Sequence, residues 1–163
     1  MTAPDWQSAA RAPVARPIAG IVVHCSATPE GLDVTAATIR DWHLDKGWAD
    51  IGYHFVIRLD GTIEPGRPLA KAGAHVARHN ARTIGICYVG GVDTAGKPKD
   101  TRTPAQKASL LALLTALRRR FPTATIKGHR DYSPDRNGNG RVDPGEWMKA
   151  CPSFDAAGEY ASL

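Results

Sequence analysis

Among the residues of this 163-residue chain that could carry metal chemistry are six histidines, three cysteines and one short run rich in Asp, Asn and Glu. Two of the histidines stand where a strand-forming run stops: His24 after IAGIVV, and His129 after TIKG. Cys151 lies in a later loop. A catalytic zinc ion takes three protein ligands from His, Cys or carboxylate and leaves the fourth position to water, and His24, His129 and Cys151 would make such a set. Strand ends suit this task because rigid backbone holds a ligand to the tolerance that metal geometry demands. The three positions are far apart in sequence, so spacing alone leaves ordinary core or surface histidines as the competing reading. Cys25 and Cys87, inside apolar runs, read as small buried hydrophobes.

A second metal pattern is local. DRNGNGRVDPGE, residues 135–146, reproduces the twelve-residue calcium loop, with Asp135 at position 1, Asn137 at 3, Asn139 at 5, Gly140 at 6, Val142 at 8, Asp143 at 9 and Glu146 at 12. Its oxygens would come from Asp135, Asn137, Asn139, the Arg141 carbonyl, Asp143 and Glu146. An ion-free turn competes with this reading. Gly and Asn favour turns unaided, Arg136 and Arg141 dilute the negative charge, and no long flanking helices are evident.

The elements that must position these groups follow from patterning. IAGIVVHC is a continuous apolar, β-branched run, as expected of a strand buried on both faces. TAATIRDWHLDK, residues 35–46, spaces Ile39, Trp42 and His43 as a short helix, and Gly47 stops it. In GYHFVIRLDGTIEPGR the Asp60-Gly61 pair separates two strand-like runs and predicts an antiparallel hairpin. IGICYVGG at 84–91 is another buried strand. Thr103, Pro104 and Gln106 supply an N-cap, a first-turn proline and a capping box for a long helix whose apolar stripe is Leu110, Leu113, Leu114, Leu117 and Phe121. TIKGH at 125–129 makes a last strand ending on His129. Residues 1–17 show no periodicity and read as a loose arm, with one domain over 18–163. The fold expected is α/β: a central mixed sheet flanked by helices, with the metal site near the strand ends.

Composition excludes more than it selects. Lys and Arg outnumber Asp and Glu by 21 to 16, which favours a polyanionic partner: cell wall, anionic lipid or nucleic acid. No nucleic-acid motif or interleaved aromatic pattern is present, so no specific nucleic-acid partner is expected. No apolar run approaches the ~20 residues that span a bilayer. The first twenty residues, broken by Pro13 and Pro17, lack the apolar core of a signal peptide, and synthesis in a bacterial cytoplasm without Sec export is expected. An odd cysteine count argues against a disulfide framework.

Six segments carry a resemblance. HCSAT at 24–28, GWADIGYHFVIRLDGTIEPGR at 47–67, GAHVARHN at 73–80, IGICYVGG at 84–91, GHRDYSPD at 128–135 and KACPSFD at 149–155 resemble, in order, the motifs of zinc-dependent N-acetylmuramoyl-L-alanine amidases. That family includes phage lysozymes and animal peptidoglycan recognition proteins. The resemblance implies that His24, His129 and Cys151 are zinc ligands, that Tyr53 and Lys149 are catalytic, and that His75 and Asn80 line the substrate groove. It further implies hydrolysis of the amide between N-acetylmuramic acid and L-alanine in peptidoglycan, by a monomeric endolysin acting on the wall after phage-type release. A bacterial effector, and a peptidoglycan-binding module without catalysis, are the alternatives within the resemblance. His43, His54 and His79 match no catalytic position. Residues 135–146 form an insertion relative to compact phage members.

Overall fold

The computed structural model describes residues 5–163. Its main sheet has five strands: β1 (Gly20–Cys25), β3 (Phe55–Ile57), β4 (Ile63–Pro65), β5 (Thr83–Tyr88) and β7 (Thr125–Gly128), in the order β4-β3-β5-β1-β7. β3 and β4 pair antiparallel as the expected hairpin, and the other neighbours run parallel. Two short strands, β2 (Thr28–Pro29) and β6 (Gly91–Val92), form a separate pair beside it. The architecture is the α/β mixed sheet anticipated from patterning.

Alternation along the strands divides the core in two. Ile21, Val23, Cys25, Ile84, Ile86 and Tyr88 are buried with the long helix α3 (Pro104–Arg120). Val56 and Cys87 are buried with Ile39 of the shorter helix α2 (Ala36–Asp45). Register sets His24 opposite Cys87 and Cys87 opposite Val56, so His24 belongs to the α2 face while its neighbour Cys25 belongs to the α3 face. A one-residue slip would exchange them.

Helix α3 forms as its sequence predicts. Thr103 Oγ1 accepts from the Gln106 N–H at 3.1 Å, and Gln106 Oε1 accepts from the Thr103 N–H at 3.0 Å. Leu110, Leu113, Leu114 and Leu117 are fully buried, each contributing about 1.5–3 kcal/mol of transfer free energy. Gln106 Nε2 donates to the Ile57 and Val89 carbonyls, which fastens the helix start to the sheet. At the same end the buried Arg102 pairs with Asp100 and Glu159, and so ties in the terminal helix α4 (Ala156–Glu159).

The N-terminal segment departs from expectation. Residues 5–17 are docked rather than loose, and residues 1–4 lie outside the described part. Asp5 caps helix α1 (Trp6–Arg11), whose Ala10 is buried in the α3-side core. Arg120 donates to the Ala10 and Ala12 carbonyls, and Arg16 donates to those of Leu69 and Thr83. The contacts that order this segment are long-range and invisible to local periodicity. β7 also stops one residue early, and His129 opens a 3₁₀ turn, His129–Tyr132.

Candidate metal centre

Three separate elements deliver the proposed ligands. β1 brings His24, the 3₁₀ turn after the adjacent β7 brings His129, and the loop before α4 brings Cys151. Their ligand atoms all lie within 4.8 Å of one another. His24 Nδ1 is 3.8 Å from Cys151 Sγ, and the His24 and His129 rings are 4.8 Å apart between centroids. Zinc–nitrogen and zinc–sulfur bonds of about 2.0–2.3 Å in a tetrahedron require ligand atoms roughly 3.3–3.7 Å apart. The His24–Cys151 separation is already close to that, and the full set needs about an ångström of closure. Two imidazoles and a thiolate are also the donor types that suit zinc. His24 is buried while His129 and Cys151 are half-buried, which leaves one side for substrate. The residues fit the ion that the family implies.

The electrostatics suit cation binding. Burial, with help from His75, His129 and Lys149, holds the His24 imidazole well below its ordinary pKa. Burial and Lys149 push His129 down to about 4. Both rings therefore stay neutral with lone pairs free at neutral pH. The Cys151 thiol is held well above its ordinary value by its hydrogen bond with Cys25 and by burial. The Cys25 backbone N–H, 3.2 Å from Cys151 Sγ, favours the thiolate instead, and a bound cation would complete that shift.

Tyr53 and Lys149 flank the centre. The Tyr53 ring lies 5.1 Å from His24 and 5.5 Å from His43. Its phenol is pushed well above its ordinary pKa, chiefly by burial, so it keeps its proton. The exposed Lys149 lines a small cavity with His129, Val76, Tyr132 and Ser133. Tyr132 also walls a larger cavity, about 300 Å³, whose lining includes the cations Arg78, Arg82 and Lys127. That places part of the excess positive charge beside the centre.

His75 and Asn80 lie on the segment that packs beside the centre. His75 is buried, with Nδ1 2.9 Å from His24 Nε2. Asn80 Oδ1 accepts from the backbone N–H groups of both His75 and Val76. The His75 ring is thus occupied by internal contacts, while the half-buried Asn80 engages only its Oδ1. Sequence reasoning missed the His24–His75 contact and the Cys25 N–H. The sequence signal for the first was the GAHVARHN motif itself; no local feature signals the second. Among the remaining histidines, His43 Nδ1 accepts from the Gly52 N–H, His54 Nδ1 accepts from the Gly85 N–H, and His79 packs against Tyr132.

The calcium-like insertion stands apart from the centre. Asp135 accepts from the Gly138 and Gly140 N–H groups, Asn137 from Asn139, and Asn139 from Arg141. Gly140, at position 6, has φ +84°. Asp143 accepts from the Asn137 and Asn139 amides, while Glu146 accepts from the backbone of Arg136, Asn137 and Asp143. Asp135, Asp143 and Glu146 do not converge as His24, His129 and Cys151 do. The loop exit is nonetheless anchored to the centre. The Arg130 guanidinium lies 4.0 Å from the Trp147 ring centroid, and the Met148 N–H donates to Ser133 Oγ.

Comparison with known proteins agrees with this geometry. A family profile described as N-acetylmuramoyl-L-alanine amidase matches residues 14–146, a span that includes His24, Tyr53 and His129 and stops before Lys149 and Cys151. The endolysin of Enterobacteria phage K11 is 44% identical over 133 residues, covering 82% of this chain and 79% of that protein. The endolysin of Escherichia phage T7 is 42% identical over 135 residues, covering 83% and 80%. Among solved structures, N-acetylmuramoyl-L-alanine amidase LysC from Clostridium intestinale URNW superposes with a TM-score of 0.68 at 31% identity, covering 89% of this chain and 83% of that one. Drosophila PGRP-LB, at 24% identity and a TM-score of 0.68 over 92% and 83% of the two chains, shares the fold. The chain belongs to the N-acetylmuramoyl-L-alanine amidase family.

Proposed function

We propose that this protein is a peptidoglycan hydrolase of the endolysin type, cutting the amide between the lactyl group of N-acetylmuramic acid and the L-alanine of the stem peptide. The observation that carries this reading is the convergence of His24, His129 and Cys151 within 4.8 Å, beside a protonated phenol and an exposed lysine. Bound there, zinc supplies a Lewis acid for the carbonyl and lowers the pKa of water. The protein's own residues do the rest. His24, His129 and Cys151 hold the ion, and the neutral state of both imidazoles keeps it bindable at neutral pH. Lys149 presents a cation to the carbonyl oxygen as negative charge develops on it. Tyr53, which keeps its proton, offers a hydroxyl to orient the attacking water or pass a proton. Water adds to the carbonyl carbon, the carbon–nitrogen bond breaks, and the alanine nitrogen leaves with a proton.

Mass analysis of digested, purified peptidoglycan tests this reading. Stem peptides with a new free L-alanine amino terminus and no new reducing sugar are expected. Retention on the polymer without released peptide would favour the binding-module alternative.

Calcium is part of the same reading as a structural ion in residues 135–146. The twelve-residue pattern, the left-handed Gly140 at position 6 and the Asp135 bond to the Gly140 N–H support it. Glu146, now bonded to the backbone, would have to turn toward the ion. No helix among the described residues is long and apolar enough to cross a membrane.

A further inference from the structure

His24 uses its two ring nitrogens in opposite directions. Nδ1 faces Cys151 Sγ at 3.8 Å, and Nε2 lies 2.9 Å from His75 Nδ1. At 2.9 Å the two facing nitrogens must be joined by one proton, which one of them carries and the other accepts. The next links in the chain decide which. His75 Nε2 lies 3.4 Å from Thr83 Oγ1, and the Thr83 hydroxyl donates its one proton to the His79 carbonyl at 2.9 Å. A carbonyl oxygen only accepts, so Thr83 Oγ1 is left to accept from His75 Nε2–H. His75 is thereby protonated on Nε2 and bare on Nδ1. His24 must then donate its Nε2 proton to His75, which leaves a lone pair on His24 Nδ1, the nitrogen that faces the metal centre.

The arrangement is rigid and dry. His24 and His75 are 1% and 7% exposed, which leaves little room for water to substitute as a partner. Asn80 fixes the backbone on either side of the His75 peptide through two 2.9 Å bonds. Gly85 is required beneath the ring, because a Cβ there would stand 2.6 Å from His75 Cγ and Cδ2. Outer partners of metal-ligating histidines set the tautomer and ring orientation, and their loss typically costs about 10- to 100-fold in affinity or activity.

We propose that Thr83 and His75 form a tautomer lock on His24, with His75 a positioning residue that holds the metal-facing nitrogen bare before an ion arrives. The lock rests on the zinc reading of His24, His129 and Cys151, but its protonation pattern is a property of the metal-free protein. Nitrogen-15 NMR of metal-free protein at neutral pH should show His24 protonated on Nε2 and His75 protonated on Nε2. Zinc titration against a chromophoric chelator should show His75→Ala weakened by about 10- to 100-fold. His75→Asn should recover most of that loss, since its Oδ1 stands near the position of Nδ1 and accepts the same proton. Thr83→Val should leave the fold intact, mix the His75 tautomers and weaken zinc by a smaller factor. If His75→Ala does not fold, the Asn and Val variants carry the test. His24 protonated on Nδ1 in the parent, or unchanged zinc affinity across folded variants, would overturn the lock. A parent that shows the expected protonation but binds no zinc would sink the metal reading and leave the lock standing.

Discussion

The strand-end centre and the insertion at 135–146 both present metal-binding residue types, and they are built in opposite ways. The centre draws His24, His129 and Cys151 from three elements far apart in sequence, and buried neighbours hold two of them, His75 at His24 and the Cys25 N–H at Cys151. The insertion draws every donor from twelve consecutive residues, and its side chains bond mainly to the loop's own backbone and amides. A long-range site inherits precision from the core that supports it. A local loop has only its own hydrogen bonds, so an ion there must compete with bonds already made. The centre should therefore bind tightly and control chemistry, while the insertion should bind more weakly and tune stability.

Breaking the centre should have the largest effect. Cys151→Ser or His129→Ala removes one of the three ligands, so zinc content should fall and turnover should drop to background, with chelators inhibiting the parent reversibly. Metal analysis beside a peptidoglycan-release assay checks this, and full activity in a zinc-free variant would refute it. Next come the groups that flank the ion. Lys149→Ala and Tyr53→Phe should each keep one zinc per chain while kcat falls, by about 10² to 10³ for the oxyanion-facing lysine and about 10² to 10⁴ for the proton-handling tyrosine. Unchanged kcat in both would remove them from the mechanism.

Acid should separate the two regions further. Burial pushes His54 down to about 4, although the Lys71 carbonyl it faces works in the other direction. The unfolded chain takes up that proton near pH 6.5 and the folded one only near 4. The stability this neutral ring contributes is thus fully present above about pH 6.5 and is lost as pH falls toward 4. Urea unfolding of metal-free protein at stepped pH should show the decline, and His54→Gln should make it shallower, the remainder belonging to the other depressed rings, His24, His75 and His129. An equally steep decline in that variant would assign the effect elsewhere. The smallest effect belongs to the insertion. Calcium at about 100 times its dissociation constant would add about 2.7 kcal/mol, a rise in thermal midpoint of some degrees, absent in Asp135→Ala and Glu146→Gln. No saturable calcium heat from zinc-loaded parent would leave residues 135–146 as a plain insertion.

What the sequence disclosed follows the same division. Helix α3 was legible because Thr103, Pro104, Gln106 and its leucines act within a few residues of one another. The β3–β4 hairpin was legible because Asp60-Gly61 carries its turn. The calcium pattern is visible for the same reason, since all its positions sit in one window. The set of His24, His129 and Cys151 could be named from strand ends and donor chemistry but was made specific only by the ordered motifs of the family. His75 was visible as a motif residue, yet its partner depends on β1 and β5 register and on Gly85 leaving space beneath it. The docking of residues 5–17 depends on Arg16 and Arg120 reaching carbonyls far along the chain, which no local pattern encodes.

Zinc-edge X-ray absorption on protein loaded with one equivalent of the metal tests the central claim most directly, because it reports the ligands of the ion itself. A first shell with one sulfur at about 2.3 Å, two imidazole nitrogens at about 2.0 Å and one further light atom is expected, with the sulfur contribution lost in Cys151→Ser. A sulfur-free shell in the parent, or a shell unchanged by that substitution, would contradict a centre built from His24, His129 and Cys151.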